Sequence, residues 1–327
     1  ETPPSVSIII ALHNEEKNAA SLLNSLIKQS FKNFELILVD DFSTDNTLKI
    51  LQENIAGFSN AKIISLHNHQ GKKKAIAEGV KQSTGELIIT TDADCTHTEG
   101  WIESIVAYYY ETKADLISAP VTMSGKGTLF DALQEIEFTS LNASGAGAIG
   151  AGKPIMCNAA NMAFTRGAWE QSKNEIRFET ASGDDVFLLL SVKKHGGKIY
   201  FLKNSDALVT TGTKLSLKSF FRQRIRWSSK AKYYTDKDIV ITSIVIFGIS
   251  FSQVLMLLLL FIHSTYALVW MVIFVLKFIS DFIFLKSVNS FYRIEKLFIK
   301  ALLLSFVYPF YIFFTGILSF FELKNRW

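Results

Sequence analysis

The C-terminal third of this 327-residue chain contains three long apolar stretches, and they constrain the fold more than any other feature. The first, residues 239–262, has 24 residues without a charge. At about 1.5 Å per residue, such a helix is longer than the roughly 30 Å hydrocarbon core of a bilayer. The second, residues 266–285, carries only Lys277 and Asp281, and the third, residues 301–321, carries no charge. A soluble bundle would need polar helix faces, so residues 239–327 are predicted to form a membrane domain.

The loops between these stretches predict the topology. Only residues 263–265 separate the first two stretches, so these should form a tight hairpin. Basic residues before the first span and after the second mark both positions as cytoplasmic. Pro309 interrupts the third stretch, which either crosses the membrane or turns back as a re-entrant hairpin. The chain opens at Glu1 without a methionine, so the sequence is compatible with a further span upstream.

The formal net charge of +4 is unevenly distributed. Residues 1–213 carry 19 positive and 25 negative side chains, whereas residues 214–238 carry 8 positive and 2 negative ones. Such a basic segment directly before a span predicts an interfacial helix at the bilayer surface. An acidic domain attached to a basic collar argues against a nucleic-acid partner. With Cys95 and Cys157 as the only cysteines, the sequence offers neither a disulfide framework nor a thiolate metal cluster.

Residues 1–213 alternate between short β-branched runs and amphipathic segments. Strands are predicted over residues 6–12, 34–40, 61–66 and 86–91, with helices between them. This alternation predicts an α/β fold with a mostly parallel sheet and flanking helices, whose ligands bind beyond the carboxyl ends of the strands. Neither the glycine-rich dinucleotide fingerprint nor the P-loop motif is present.

Polar or acidic residues directly follow three of these strands, at positions 13–15, 40–41 and 92–94, and we expect these strand ends to converge at the ligand site. A further acidic pair precedes a later helix. Asp92 and Asp94, two residues apart at a strand end, suit a hard cation shared with phosphate oxygens, although such a pair also occurs in ordinary turns. Asp40 and Asp41 follow the second strand. This pair either caps the next helix or accepts hydrogen bonds from a base or ribose. Asp184 and Asp185 are either an acidic first helical turn or the position of a general base.

The motif Gln223-Arg224-Ile225-Arg226-Trp227 lies in the basic collar, 11 residues before the first span. An anionic-lipid anchor would explain the positive charge alone. Arginine can also grip a pyrophosphate, and tryptophan can stack on a sugar or a lipid acceptor.

Six motifs in this order resemble the membrane-bound family 2 glycosyltransferases with the GT-A fold, which include cellulose and hyaluronan synthases and ceramide glucosyltransferase. The motifs cover residues 5–227 and are Ser7–Glu15, Val39–Asp45, Gly71-Lys72 with Ala75, Thr91–Asp94, Gly183–Asp185 and Gln223–Trp227. The resemblance implies a GT-A domain over residues 1–213, the interfacial segment over 214–238 and the membrane domain after it.

The resemblance also implies inverting sugar transfer from a nucleotide-diphosphate sugar, usually a UDP-sugar. The implied residues of the nucleotide and donor pocket are Ala11, Glu15, Asp41, Lys72 and Asp92. Asp94 is implied to coordinate Mg²⁺ or Mn²⁺, and Asp185 to act as the base. Gln223, Arg226 and Trp227 are implied to close over the diphosphate and the acceptor. Asp184 stands where the family usually has glutamate, which puts its supporting role in doubt.

The acceptor substrate is predicted from the spacing between the Arg-Trp motif and the first span rather than from a motif of its own. Because the first span follows the Arg-Trp motif so closely, we expect a non-processive enzyme that acts on a membrane lipid. A processive polysaccharide synthase and a non-catalytic nucleotide-sugar binder are the alternatives. Residues 143–152 are a run of small residues that would line an acceptor groove or form a flexible loop, and Asn161 is expected on the acceptor side. We expect an integral membrane protein of a bacterial inner membrane with its catalytic domain in the cytoplasm.

Overall fold

The structure of the protein is a computed structural model that describes residues 4–178, 180 and 182–320. The distribution of basic residues argues against a simple third span, because such a span would place Lys324 and Arg326 on the outer side, but both residues lie outside the described part of the chain. The described part folds as two compact units. Unit 1 contains the residues up to Thr122 and those from Ser144 to Gly212. Unit 2 contains residues 123–143 and those from Thr213 onward.

The predicted strands at the start of the chain are all present, and further short strands follow them. The strands are β1 (Val6–Leu12), β2 (Phe34–Asp40), β3 (Ala61–Ser65), β4 (Leu87–Thr90), β5 (Thr96–His97), β6 (Leu116–Ser118), β7 (Val121–Ser124), β8 (Met162–Thr165), β9 (Ile199–Phe201) and β10 (Val209–Gly212).

Helices separate most of these strands and then form the whole C-terminal part. The helices are α1 (Ala19–Ile27), α2 (Thr47–Asn54), α3 (Lys72–Gln82), α4 (Trp101–Thr112), α5 (Leu129–Gly150), α6 (Arg166–Ser172), α7 (Asp184–Lys194), α8 (Leu217–Ser228), α9 (Lys237–Leu259), α10 (Thr265–Tyr292) and α11 (Leu297–Phe320). The small-residue run predicted as a groove or a flexible loop is, over residues 143–150, the last part of α5.

The main sheet of unit 1 has seven strands within the described ranges, in the order β3-β2-β1-β4-β8-β6-β9. The first four of these run parallel, and β8 is antiparallel to both of its neighbours. The predicted α/β fold is confirmed. From β1 the chain proceeds outward to β2 and β3 and then returns to β4 on the other side of β1. This reversal places a switch point, where ligands of such sheets bind, at the carboxyl ends of β1 and β4.

The core of unit 1 lies between this sheet and its helices. Side chains such as Ile9, Ile37 and Ile88 form one buried cluster with apolar residues of α3, α6 and α7. Gly79 allows α3 to pack closely against β1, because a Cβ at this position would lie 2.5 Å from Cγ2 of Ile9. Burial of apolar area of this kind is the main stabilising term of the domain.

Unit 2 joins the first half of α5 to α8 and to the three C-terminal helices. Ile136 of α5 packs in a buried cluster with Leu285 of α10 and Ala301 of α11. Residues 123–143 were predicted to belong to the catalytic domain, whereas the structure groups them with the apolar helices. The local sequence does not indicate this grouping, because Leu285 and Ala301, which pack against Ile136, lie more than a hundred residues further along the chain.

Three helices in the described part of the chain are long and apolar enough to cross a membrane: Lys237–Leu259, Thr265–Tyr292 and Leu297–Ser319. Many of their apolar side chains face outward, Ile244 being 65% and Leu276 62% exposed. The third is one continuous helix that contains Pro309, so the chain does not turn back there as a re-entrant hairpin.

Candidate active site

The polar residues that follow β1, β2 and β4 meet at one edge of the sheet. Leu12 lies opposite Asp40 across β1 and β2, and Ile9 lies opposite Thr90 across β1 and β4. Because these strands are parallel neighbours, the segments that leave their carboxyl ends share this edge. The clustering predicted from the sequence is therefore present in the fold.

Lys72 connects two of the acidic pairs. Its Nζ donates a hydrogen bond to Oδ1 of Asp92 and lies 3.8 Å from Oδ2 of Asp184. Burial lowers the pKa of Lys72, but the carboxylates of Asp92 and Asp184 outweigh this effect and hold the pKa well above its ordinary value. Lys72 therefore stays positively charged and links the end of β4 to the start of α7.

Asp184 and Asp185 form the acidic first turn of α7. The helix follows Gly183, whose φ of +98° is a backbone conformation that a residue with a Cβ adopts only under strain. Oδ1 of Asp185 accepts a hydrogen bond from the backbone N–H of Val186 at 2.7 Å, and Oδ2 lies 3.4 Å from the backbone nitrogen of Ala159. Both carboxylates are only partly buried, so a ligand can reach them.

Asp92 and Asp94 leave β4 in a turn, which the hydrogen bond from the N–H of Cys95 to the carbonyl of Asp92 closes. Both side chains are partly exposed. Few carboxylates together with substrate phosphates are the donor set that Mg²⁺ and Mn²⁺ take, so these residues fit such an ion.

Asp41 is completely buried. Its oxygens accept hydrogen bonds from the backbone N–H groups of Gln70 and Gly71 at 2.7 and 2.8 Å. The carboxylate thus fixes the segment that leads into α3 and Lys72. Glu15 is partly buried, and its Oε2 accepts a hydrogen bond from Asn18 at 2.7 Å. Ala11 is a core residue of β1 beside this edge.

Two histidines lie against Asp41, and only one of them, His13, was expected at this edge from the sequence. Nδ1 of His69 is 2.9 Å from Oδ2 of Asp41, and Nδ1 of His13 is 2.8 Å from the Asp41 carbonyl oxygen. The two imidazole rings are 4.3 Å apart. The three residues offer ligand atoms within 4.8 Å of one another, which makes them a second place where a metal ion fits. His13 directly follows β1, which is the signal that singled it out in the sequence, whereas His69 lies in the loop before α3 and was not predicted.

Asn161 has a different position from the one expected. It is completely buried, its amide donates hydrogen bonds to the carbonyls of Pro120 and Ala207, and its Oδ1 accepts one from Nε1 of Trp101. A contact with an acceptor would require one of these bonds to break. We therefore regard Asn161 as a residue that ties α4 to two loops and do not place it on the acceptor side.

Lys73 is the functional candidate that the sequence analysis missed. It is 5% exposed, and its Nζ donates hydrogen bonds to the carbonyl of Arg177 at 2.6 Å and to the hydroxyl of Thr180. The same ammonium group lies 5.1 Å from the centre of the Phe187 ring. Lys73 therefore holds the segment that leads to Asp184 and Asp185.

The predicted motif residues Gln223, Arg226 and Trp227 belong to unit 2, where they lie on the second half of α8. The helix begins after Ser216, which forms a capping box with Ser219. Its exposed N-terminal part and partly buried motif fit the predicted amphipathic helix. Gln223, Arg226 and Trp227 are all partly exposed.

The comparison with known protein families settles which family this arrangement belongs to. The model described as glycosyl transferase family 2 matches residues 7–171. The chain belongs to glycosyl transferase family 2. The resemblance inferred from the six motifs is thereby confirmed.

Similar curated proteins carry glycosyltransferase names. Glycosyltransferase AglE of Haloferax volcanii is 31% identical over 122 residues, which are 37% of this chain and 40% of the relative. Undecaprenyl-phosphate 4-deoxy-4-formamido-L-arabinose transferase of Proteus mirabilis is 39% identical over 107 residues, which are 31% of this chain and 32% of the relative. The chain thus matches less than half the length of either relative.

A solved structure shares the fold of this chain over most of its length. It is the mannosyltransferase PcManGT of Pyrobaculum calidifontis, in complex with GDP-Man and Mn²⁺. The TM-score is 0.59 at 14% sequence identity, and the match covers 97% of this chain and 88% of the other. The likeness confirms the GT-A-like sheet followed by long apolar helices.

Proposed function

We propose that this glycosyltransferase transfers a sugar from a nucleoside diphosphate sugar, most simply a UDP-sugar, to a hydroxyl group of a membrane lipid. The observation that carries the proposal is the linkage of Asp92 and Asp184 through the permanently charged Lys72 at the switch point of the sheet. This linkage joins the donor-binding strand end to the first turn of α7, in which Asp185, the candidate base, follows Asp184. Fixed groups of this kind act where charge develops in a transition state.

The reaction is a single displacement with inversion at the anomeric carbon. The acceptor oxygen forms a bond to that carbon while the bond from the carbon to the diphosphate breaks. The electron pair of that bond leaves with the nucleoside diphosphate, and the acceptor proton passes to the carboxylate of Asp185. Lys72 orients Asp92 and Asp184 on the donor side. For Gln223, Arg226 and Trp227 we propose the role that the family resemblance implies, which is contact with the diphosphate and the acceptor.

Asp94 would hold a divalent cation, with Asp92 beside it. When bound, Mg²⁺ or Mn²⁺ supplies positive charge that stabilises the leaving diphosphate. Two observations support the assignment of Asp94. Its carboxylate is partly exposed after β4, and the mannosyltransferase PcManGT was solved in complex with Mn²⁺. The cluster of His13, Asp41 and His69 is the alternative position for the ion.

A membrane lipid is the acceptor that the rest of the chain favours. Three apolar helices follow the motif helix closely, and one relative is named for its use of undecaprenyl phosphate. We propose a hydroxyl rather than a phosphate as the accepting group. A lipid phosphate is already ionised at neutral pH, needs no base, and would be repelled by two adjacent carboxylates at Asp184 and Asp185.

A test of the function uses the protein in membranes with Mg²⁺ or Mn²⁺ and a panel of labelled nucleoside diphosphate sugars. Extraction into organic solvent should recover the label in the lipid phase. Label in an insoluble polymer would instead identify a processive polysaccharide synthase. Nucleotide binding without transfer to any lipid fraction would identify a non-catalytic binder and refute the proposal.

The base assignment is tested by Asp185→Asn, with Asp206→Asn as the matched control on an exposed residue. Asp185→Asn should lower transfer by about 10²- to 10⁴-fold, the usual range for a positioned base. Binding of UDP should remain, because the donor contacts lie at other residues. Unchanged transfer by Asp185→Asn would show that the acceptor needs no base there and would favour a phosphate acceptor.

A further inference from the structure

Unit 2 contains a buried polar cluster that the motif analysis did not include. Glu137 of α5 is 1% exposed, Arg224 of α8 is 4% exposed and Tyr311 of α11 is 7% exposed. Arg224 donates from Nη2 to Oε2 of Glu137, and the hydroxyl of Tyr311 donates to Oε1 at 2.6 Å. One carboxylate therefore joins three helices that are far apart in the sequence.

Arg224 also contacts two of the three motif residues directly. Its Nη1 donates a hydrogen bond to Oε1 of Gln223 at 2.7 Å, and its guanidinium lies 4.3 Å from the centre of a Trp227 ring. The ring of Trp227 is in turn 6.3 Å from that of Phe138, the neighbour of Glu137. The buried cluster and the motif therefore form one connected set of side chains.

An ion pair in this position contributes orientation more than stability. Burying both charges is costly, and a well-packed apolar pair of the same volume is often as stable or more stable. An apolar contact, however, allows α8 to rotate or slide, whereas the planar guanidinium bonds only in a narrow geometry. Arg226 is two residues further on, about 200° around the helix, so the rotation that seats Arg224 also sets the direction of Arg226.

We propose that Glu137, Arg224 and Tyr311 are positioning residues that hold α8 in the rotation at which Gln223, Arg226 and Trp227 are correctly placed for sugar transfer. This inference rests on the proposed function, in which those three motif residues contact the diphosphate and the acceptor. None of the three positioning residues needs to touch a substrate. Their effect passes through the side chains that Arg224 holds.

The test separates orientation from stability with a pair of substitutions. Glu137→Gln and Arg224→Met each leave one buried partner without its counterpart, so both variants should be less thermally stable and less active. The double variant Glu137→Met with Arg224→Met removes both charges and should recover thermal stability. Its kcat should nevertheless stay about 10- to 100-fold below that of the wild type, the usual cost of small misplacements at an active site. UDP binding should change much less than kcat.

Two further variants keep the inference testable if the double variant folds poorly. Arg224→Lys keeps the charge but loses the planar fork, and Tyr311→Phe removes one hydrogen bond without changing the ring. Both should lower kcat severalfold while the melting temperature changes little. The control is Glu135→Gln, because Glu135 and Lys300 form a partly exposed ion pair at 3.7 Å between the same helices α5 and α11. That variant should keep wild-type kcat.

Recovery of kcat together with stability in the double variant, or wild-type kcat in both Arg224→Lys and Tyr311→Phe, would overturn the inference. Either result would show that the cluster only stabilises the fold, and the proposed function would be unaffected. A wild-type protein that transfers no sugar from any donor would instead overturn the proposed function, and this inference with it.

Discussion

Replacing Lys73 by methionine tests whether a buried lysine controls the position of the candidate base. The substitution keeps the length and apolar character of the side chain but removes its hydrogen bonds to Arg177 and Thr180. Hydrogen bonds that involve a charged group contribute about 1.5 to 3 kcal/mol each. Removing the buried ammonium also relieves its desolvation cost, so we expect a net loss of roughly 2 to 3 kcal/mol in the free energy of unfolding.

The same change should reduce catalysis, because Arg177 and Thr180 belong to the segment that leads directly to Asp184 and Asp185. For a domain of 150–250 residues, 1 kcal/mol corresponds to about 2 to 4 °C, so the melting temperature should fall by roughly 4 to 12 °C. Misplacement of the base should lower kcat by about 10- to 100-fold. Binding of UDP should stay within about twofold, a difference of about 0.4 kcal/mol, since Lys72 and Asp92 remain in place.

The chain provides its own controls, since three lysines follow one another at the start of α3. Lys74 is exposed, so Lys74→Met should have the melting temperature and kcat of the wild type. Lys72→Met should weaken UDP binding as well as transfer, because it removes the cation between Asp92 and Asp184. Thermal melts, kcat and UDP titrations are measured on all three variants. If Lys73→Met matches Lys74→Met in both melting temperature and kcat, Lys73 does not hold the base segment.

Three further predictions concern the metal dependence of transfer, the loss of stability at acidic pH and the role of the buried residue Asn161. Chelation with EDTA should abolish sugar transfer, and added Mn²⁺ should restore it. The variant Asp94→Ala should stay inactive when Mn²⁺ is added. Full activity of that variant would instead assign the ion to the cluster of His13, Asp41 and His69. Burial lowers the pKa of His97 to about 3, below its ordinary 6.5, so the unfolded chain binds the extra proton first and stability should fall as the pH drops below 6.5. His97→Gln should flatten that part of the melting-temperature profile, and an unchanged slope would contradict the assignment. Asn161→Ala should lower the melting temperature in proportion to its loss of activity, and a variant of wild-type stability with reduced transfer would return Asn161 to the acceptor side.

Several features of the site followed from local sequence alone. The run from Val6 to Leu12, followed by polar residues, predicted a buried strand that ends at a ligand edge, and β1 has these bounds. Asp92 and Asp94 were placed correctly at a strand end for the same reason. A buried strand can be predicted from the composition of consecutive residues. The carboxyl ends of parallel neighbouring strands must also share one edge of the sheet. Prediction succeeded where the physical cause lay within about ten residues of the chain.

The prediction failed where the cause lay in distant contacts. Lys72, Lys73 and Lys74 are identical in type and adjacent in sequence, yet one bridges two carboxylates, one is buried against a distant segment and one is exposed. Asn161 was expected on the acceptor side together with the rest of the segment 156–162. The buried carbonyls of Pro120 and Ala207 use its amide instead.

By itself, the sequence determined that this chain has an α/β domain with acidic strand ends, a basic collar and three apolar helices. Each of these is set by residues close together in the chain, through strand and helix periodicity and through the thickness of a bilayer. Only the tertiary structure decided that residues 123–143 join the apolar helices and that Glu137 holds Arg224 and Tyr311. A buried charge must be matched by a specific partner, and that partner is chosen by packing between helices rather than by any local pattern.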